Sequence, residues 1–145
     1  RLGLYLDIKE LSWAAALSVF ETLDKHHHVQ NTIFGSFRPD HLAEIKAQRP
    51  DAVTSILFNS IHVDPVALAQ SIRADYVHPC WESRSETPHK LLTPQWICSV
   101  RDAKLGIVCW HEERPSEIAA LQALGVDAIC SDTPELLVVG KNWHK

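Results

Sequence analysis

The sequence predicts an α/β protein of the (β/α)8 TIM-barrel type, represented by about six of the eight strand–helix units with the N-terminal units missing. Three observations point there. Apolar strand runs and amphipathic helical runs alternate about six times along the 145 residues, at spacings of roughly 20 to 30 residues, the pattern of parallel βαβ units. No glycine-rich phosphate loop follows any strand, which takes the best support from the competing architecture, an open doubly wound nucleotide-binding sheet. Polar residues gather at the C-terminal ends of the strands, the face on which barrel enzymes assemble their sites: Asp7, Lys9 and Glu10, then Ser36 and Arg38, Asn59, His78, residues 110–113, and Ser131 with Asp132.

Taken in order, residues 4–10 alternate Leu4, Leu6 and Ile8 with Tyr5, Asp7 and Lys9, a period of two that predicts a strand with one apolar and one polar face. Trp13, Leu17, Phe20 and Leu23 recur at helical spacing, so residues 11–25 form an amphipathic helix. His26, His27 and His28 close it; three adjacent histidines cannot share one helix face, and they read as a dipole-compatible helix end rather than a metal cluster. Residues 31–37 form the second strand, and Pro39-Asp40 opens a helix that stops at Arg49-Pro50. Residues 53–58 form the third strand, and Asp64-Pro65 caps a helix over 66–73. A short fourth strand spans 75–79 and a surface loop 81–89. Thr93-Pro94 starts a helix running to Lys104, residues 106–111 form the fifth strand, and the helix over 115–124 ends on Gly125. The sixth strand covers 127–132, ahead of a short tail.

With 46% hydrophobic and 22% charged residues, the chain is an ordinary globular one, a single domain over 1–145 with a real core. The net charge of -4 is dispersed without a basic run, which argues against a nucleic-acid groove or a polybasic membrane anchor. There is no apolar run of membrane-spanning length and no signal segment at the start. Cys80, Cys98, Cys109 and Cys130 include no CxxC pair, and three lie in or beside apolar strand runs. They read as reduced core thiols, which favours the cytoplasm. A periplasmic or secreted setting stays open, because Arg1-Leu2-Gly3 runs straight into a strand, methionine is absent, and the chain looks cut at its front.

At these residues the chain resembles the glycerophosphodiester phosphodiesterase family over nearly its whole length. Leu6-Asp7-Ile8-Lys9 is similar to that family's acidic-x-Lys strand, Gly35-Ser36-Phe37 to its Ser-Phe strand, Val77-His78-Pro79 to its short sixth strand, and Val108-Cys109-Trp110 to its Trp strand. The most specific likeness is the closing stretch 124–134, which ends in Ser131-Asp132-Thr133-Pro134. The resemblance implies hydrolysis of glycerophosphodiesters to glycerol 3-phosphate and an alcohol, assisted by a divalent metal, Mg2+ or Ca2+. It implies Asp7 as a metal ligand where the family more often has Glu, Lys9 as a catalytic residue close to the substrate phosphate, and Trp110 beside the glycerol moiety. Two departures stand out. His111-Glu112-Glu113 replaces the usual Thr-x-Asn after the Trp, making the pocket more acidic. The His-Arg strand, the Glu-x-Asp pair and the second His of the family belong to the first two strands, so an N-terminal barrel segment or another chain is needed to complete the fold.

Phosphodiester cleavage needs charge neutralisation, a nucleophile and a proton for the leaving alkoxide. Asp7 supplies part of an oxygen shell for a hard cation and Lys9 a point charge for phosphate, both from one face of one strand. The competing reading of the pair is a structural ion pair at a strand end. Ser36 and His78 complete the substrate-binding candidates, His78 against the alternative of a satisfied structural histidine. Ser36 shares its parity with Arg38, and Arg38-Pro39-Asp40 also reads as a helix start with local charge pairing. His111 has the opposite parity to Trp110 and is expected to face the helices or the loop. Asp132 reads as a turn residue. Two other functions compete: an aldolase-like barrel with a Schiff base on Lys9, and a non-catalytic binding or assembly module. The chain alone is expected to be inactive and to expose sheet edges at 4–10 and 127–132.

Overall fold

The computed structural model describes residues 3–137; Arg1, Leu2 and the tail from 138 onward lie outside the described residues. Six strands alternate with five helices: β1 (Leu4–Asp7), α1 (Trp13–Lys25), β2 (Thr32–Ser36), α2 (Pro39–Gln48), β3 (Val53–Phe58), α3 (Pro65–Ser71), β4 (Tyr76–Pro79), α4 (Pro94–Asp102), β5 (Gly106–Cys109), α5 (Pro115–Ala123) and β6 (Ala128–Ile129). Helices α2 to α5 each begin with proline in the first turn, where its missing N–H costs nothing. Side-chain oxygens of Ser12, Asp64 and Thr93 cap α1, α3 and α4 by accepting N–H groups of the first turn. Gly125 follows α5 at φ 73, a left-handed position glycine adopts without strain.

Strand order decides between the two parallel architectures. Every strand pairs in parallel with its successor, in the order β1-β2-β3-β4-β5-β6. A doubly wound sheet reverses its order at a switch point; this one never reverses, so it is an arc of six consecutive units of a (β/α)8 barrel.

The two faces of the arc differ in chemistry. Phe34, Ile56, Phe58, Val77, Ile107 and Cys109 turn to the helices and form one apolar core with Leu42, Ile45, Val100 and Leu121. Each such side chain contributes about 1.5–3 kcal/mol on burial. The inner face carries the register row Asp7, Gly35, Ser55, Tyr76, Gly106. Here the Tyr5 ring lies over Gly35 and the Tyr76 ring over Gly106, and a Cβ at either glycine would collide with the ring. Large and small residues thus interlock across neighbouring strands, as a barrel interior requires.

Several boundaries differ from the sequence reading, for local reasons. Asp75 and Asp127 do not begin strands: their carboxylates instead accept the backbone N–H of Thr54 (2.7 Å) and Ile107 (2.6 Å) on the preceding strand. β6 is shortened at its other end as well, because Ser131, Asp132 and Thr133 bond to Glu113 instead of continuing the strand. Trp81, placed at the start of a surface loop by its polar neighbours, is only 4% exposed and packs edge-on against Phe58 and Trp96. Part of that loop, Pro88–Leu91, is a 3-10 turn. All four cysteines are unpaired. Burial pushes the Cys80 and Cys109 thiols up to about 12. Among the described residues no helix is long and apolar enough to cross a membrane.

Candidate active site

β1 ends at Asp7, but its extended course continues because the Ile8 N–H donates to the Gly35 carbonyl at 2.7 Å. Asp7 and Lys9 therefore stay on one side, as the period of two requires. Lys9 Nζ stands 2.6 Å from Asp7 Oδ2, with the lysine side chain 66% and the aspartate 24% exposed. The other carboxylate oxygen, Asp7 Oδ1, is buried without a hydrogen-bond partner among the described residues.

Two aromatic rings flank the ammonium. Lys9 Nζ lies 5.6 Å from the centroid of Phe37 and 5.7 Å from that of Trp110, within cation–π range. Trp110 is placed by an isolated parallel bridge to Cys80 just past the end of β5. Its ring rests 6.0 Å from the imidazole of His78.

His78 lies one layer below, fully buried. Its Nδ1 is 2.6 Å from the Tyr5 hydroxyl and its Nε2 is 4.0 Å from Cys130 Sγ. Burial lowers its pKa to about 3, so the ring is a neutral imidazole, and burial likewise raises Tyr5 well above the ordinary phenol value. His78 thus meets the cleft through Trp110 rather than directly. Ser36 is not part of this cluster. It shares a register row with Ile56, on the opposite face of the sheet, and is fully buried. Its hydroxyl donates to the Ile8 carbonyl (2.7 Å) and accepts the Arg38 N–H (3.1 Å), tying the end of β1 to the start of α2. Arg38 is paired to Asp40, as the local-pairing reading expects.

A second polar group stands at the β5–β6 end of the rim. His111, Glu113 and Asp132 each bring one ligand-capable atom within 4.8 Å of the others. Glu113 is already engaged: Oε1 accepts from the Ser131 hydroxyl (3.0 Å) and the Asp132 N–H (2.6 Å), and Oε2 accepts from the Thr133 hydroxyl. His111 faces this loop, with its ring 6.1 Å from Trp110.

A hard divalent cation takes six or more oxygen ligands. Asp7 fits such an ion in one respect, an orphaned buried carboxylate oxygen; the remaining ligands are not supplied by its immediate neighbours on β1. Lys9 keeps N–H donors beyond the one used by Asp7, enough to meet a phosphate oxygen. Phe37 and Tyr5 escaped the sequence reading. Tyr5 carried a usable signal, since it shares its strand parity with Asp7.

The model of the family described as "Glycerophosphoryl diester phosphodiesterase family" matches residues 6–136. Among curated proteins, none matches the chain. Solved structures share its fold. A protein assigned as a glycerophosphoryl diester phosphodiesterase from Silicibacter pomeroyi DSS-3 superposes with a TM-score of 0.76 at 21% identity, over 93% of this chain and 48% of its own. A protein similarly assigned from Galdieria sulphuraria gives 0.76 at 23% identity, over 94% and 56%. An Oleispira antarctica phosphodiesterase solved with the product sn-glycerol-3-phosphate gives 0.71 at 19% identity, over 93% and 53%. The chain thus spans about half the length of the structures it matches.

Proposed function

The chain belongs to the glycerophosphoryl diester phosphodiesterase family, and on that premise we propose that it forms the phosphate-facing part of a metal-dependent hydrolase that splits glycerophosphodiesters into glycerol 3-phosphate and an alcohol. The observation that carries this reading is the Asp7–Lys9 pair at the C-terminal rim, with an orphaned Asp7 oxygen on one side and aromatic faces on the other. In this reading Lys9 is catalytic, meeting a phosphate oxygen and stabilising the charge that develops as water adds to phosphorus and the P–O bond to the alcohol breaks. Asp7 Oδ1 is a ligand for Mg2+ or Ca2+, which when bound neutralises the phosphate further. Trp110 lines the glycerol side, seated on His78.

General acid and base come from the two barrel units ahead of β1, whether on the same polypeptide or another. The flank of β1 supports a neighbour there. A largely apolar cavity of about 410 Å³ lies between it and α1, lined by Leu6, Ile8, Val19, Phe20 and Phe34 and reaching Asp7, Lys9 and Glu10 at the rim, and Leu4 and Val19 are 42% and 39% exposed.

The Schiff-base alternative fits Lys9 poorly. That chemistry needs an amine freed of its charge in a desolvated pocket, whereas Lys9 is exposed and bonded to a carboxylate. The test is hydrolysis of glycerophosphocholine by a complete barrel containing these residues, with and without chelator. We expect loss of turnover on chelation, a drop of about 100-fold or more in Lys9→Met and in Asp7→Asn, and no turnover by the 145-residue chain alone. Turnover indifferent to chelation and to both substitutions would reject the proposal in favour of a non-catalytic module or another chemistry.

A further inference from the structure

Phe37 is an anomaly of placement. It is a large ring left 42% exposed at the end of β2, on the polar rim rather than in the core, and its exposure is not accidental to the backbone. Ser36, one residue earlier, is pinned to the helix side by its hydrogen bonds to Ile8 and Arg38, so the alternation of the strand turns residue 37 inward. There its ring meets the ammonium of Lys9 at 5.6 Å, while Trp110, 73 residues further along the chain, meets it at 5.7 Å.

A rim lysine that is to receive a phosphate faces a physical conflict. Its long side chain is rotationally free, so something must hold the charged end. A carboxylate alone holds it weakly when exposed and draws it toward itself. An aromatic face attracts the charge through its quadrupole without taking up an N–H in a directional hydrogen bond. An ammonium has three N–H donors; Asp7 occupies one here, and the two rings leave the others to a ligand.

We infer that Phe37 is a positioning residue for Lys9: with Trp110 it holds the ammonium over the rim while leaving N–H donors open to a phosphate oxygen. The phosphate half of this statement rests on the proposed function; the positioning half rests on geometry alone. It calls for an aromatic ring at position 37, not merely an apolar side chain.

The experiment follows the Lys9 Hε resonances in a complete barrel carrying these residues, labelled at lysine and assigned through Lys9→Arg, together with the affinity for sn-glycerol 3-phosphate. In the unsubstituted protein the two rings shift these resonances upfield. Phe37→Leu is expected to move them toward the position of an ordinary exposed lysine and to weaken sn-glycerol 3-phosphate about two- to fivefold. Phe37→Tyr should preserve both. Resonances unmoved by Phe37→Leu, in a protein whose other signals are unchanged, overturn the positioning whatever happens to affinity; a loss of affinity would then mean that Phe37 touches the ligand itself. Resonances that move while Lys9→Met leaves the affinity untouched overturn the phosphate role and, with it, the proposed function of Lys9.

Discussion

The acids at the two ends of the rim are used in opposite ways. At the β5–β6 end, Glu112 is 4% exposed and fully bonded: Oε1 accepts from the Glu113 N–H, the Arg114 N–H and Arg114 Nε, and Oε2 accepts from Arg114 Nη2 at 2.6 Å. Burial pushes its carboxyl up, and the bonds from Arg114 outweigh that and hold it below the usual range. Glu113 is likewise held low, by the Thr133 hydroxyl first and the Asp132 N–H next. At the β1 end, Asp7 shares one oxygen with an exposed lysine and leaves the other buried without a partner among the described residues. Satisfied acids build a loop, and an acid with a buried, unspent lone pair is suited to a ligand. Proximity alone does not separate the two cases, since the group of potential ligands within 4.8 Å of one another at the β5–β6 end includes Glu113, whose oxygens are already taken.

The most damaging way to break this contrast is at Glu112. Glu112→Ala strips the acceptor from the Arg114 guanidinium and from two backbone N–H groups. Arg114 would keep only its bonds to the Glu86 and Glu82 carbonyls. Breaking a buried pair by removing one partner is strongly destabilising. With Arg114 40% exposed, solvent screening reduces the loss below that of a fully buried pair, to about 2–3 kcal/mol. The measurement is the shift in urea midpoint at constant slope. A shift worth less than about 0.5 kcal/mol would mean that water replaces these bonds and that the loop does not depend on Glu112.

His78 lies between the two ends, bonded to Tyr5 of β1 and in contact with Cys130 just beyond β6. Its pKa falls from 6.5 to about 3 through burial. Between those values the unfolded chain binds a proton that the folded chain refuses. Stability therefore declines as pH falls from about 6.5 toward 3, with a slope approaching about 1.4 kcal/mol per pH unit. His78→Asn, which keeps an acceptor near the Tyr5 hydroxyl, should remove that slope while leaving the contribution of the carboxylates in place. Urea melts at several pH values in this window give the difference in slope between the two proteins. Equal slopes would show that the imidazole takes up its proton in the folded state.

Much of this architecture was legible in one sequence because it is written in local periods. The alternation of units announced the barrel, and the parity of Leu6-Asp7-Ile8-Lys9 brought the carboxylate and the ammonium together. What stayed hidden depends on register between strands. Ser36 has the residue type and position of a site residue, yet the pairing of β2 with β3 sets it beside Ile56 on the helix side. Phe37 was overlooked for the same reason, since its inward turn follows from how Ser36 is pinned. The depth of His78 is set by Tyr5, 73 residues away, a separation no local pattern reports. Trp81 joined the core although its neighbours are loop-like, because it packs edge-on against both Phe58 and Trp96.

The gentlest test sharpens the contrast at its other end. Asp7→Asn keeps the shape of the side chain, removes the charge facing Lys9 and leaves the orphaned oxygen position polar. Because the ion pair it breaks has a lysine that is 66% exposed, and because Oδ1 has no bond to lose among the described residues, stability should change by no more than about 0.5 kcal/mol in a urea melt. Structural acids do not behave this way: the same class of change at a bonded carboxylate leaves donors unsatisfied. A loss of about 2 kcal/mol or more in Asp7→Asn would place Asp7 with Glu112 among the loop-building acids. Near-neutral stability combined with lost turnover in the complete barrel is the signature of a residue retained for what it binds rather than for what it supports.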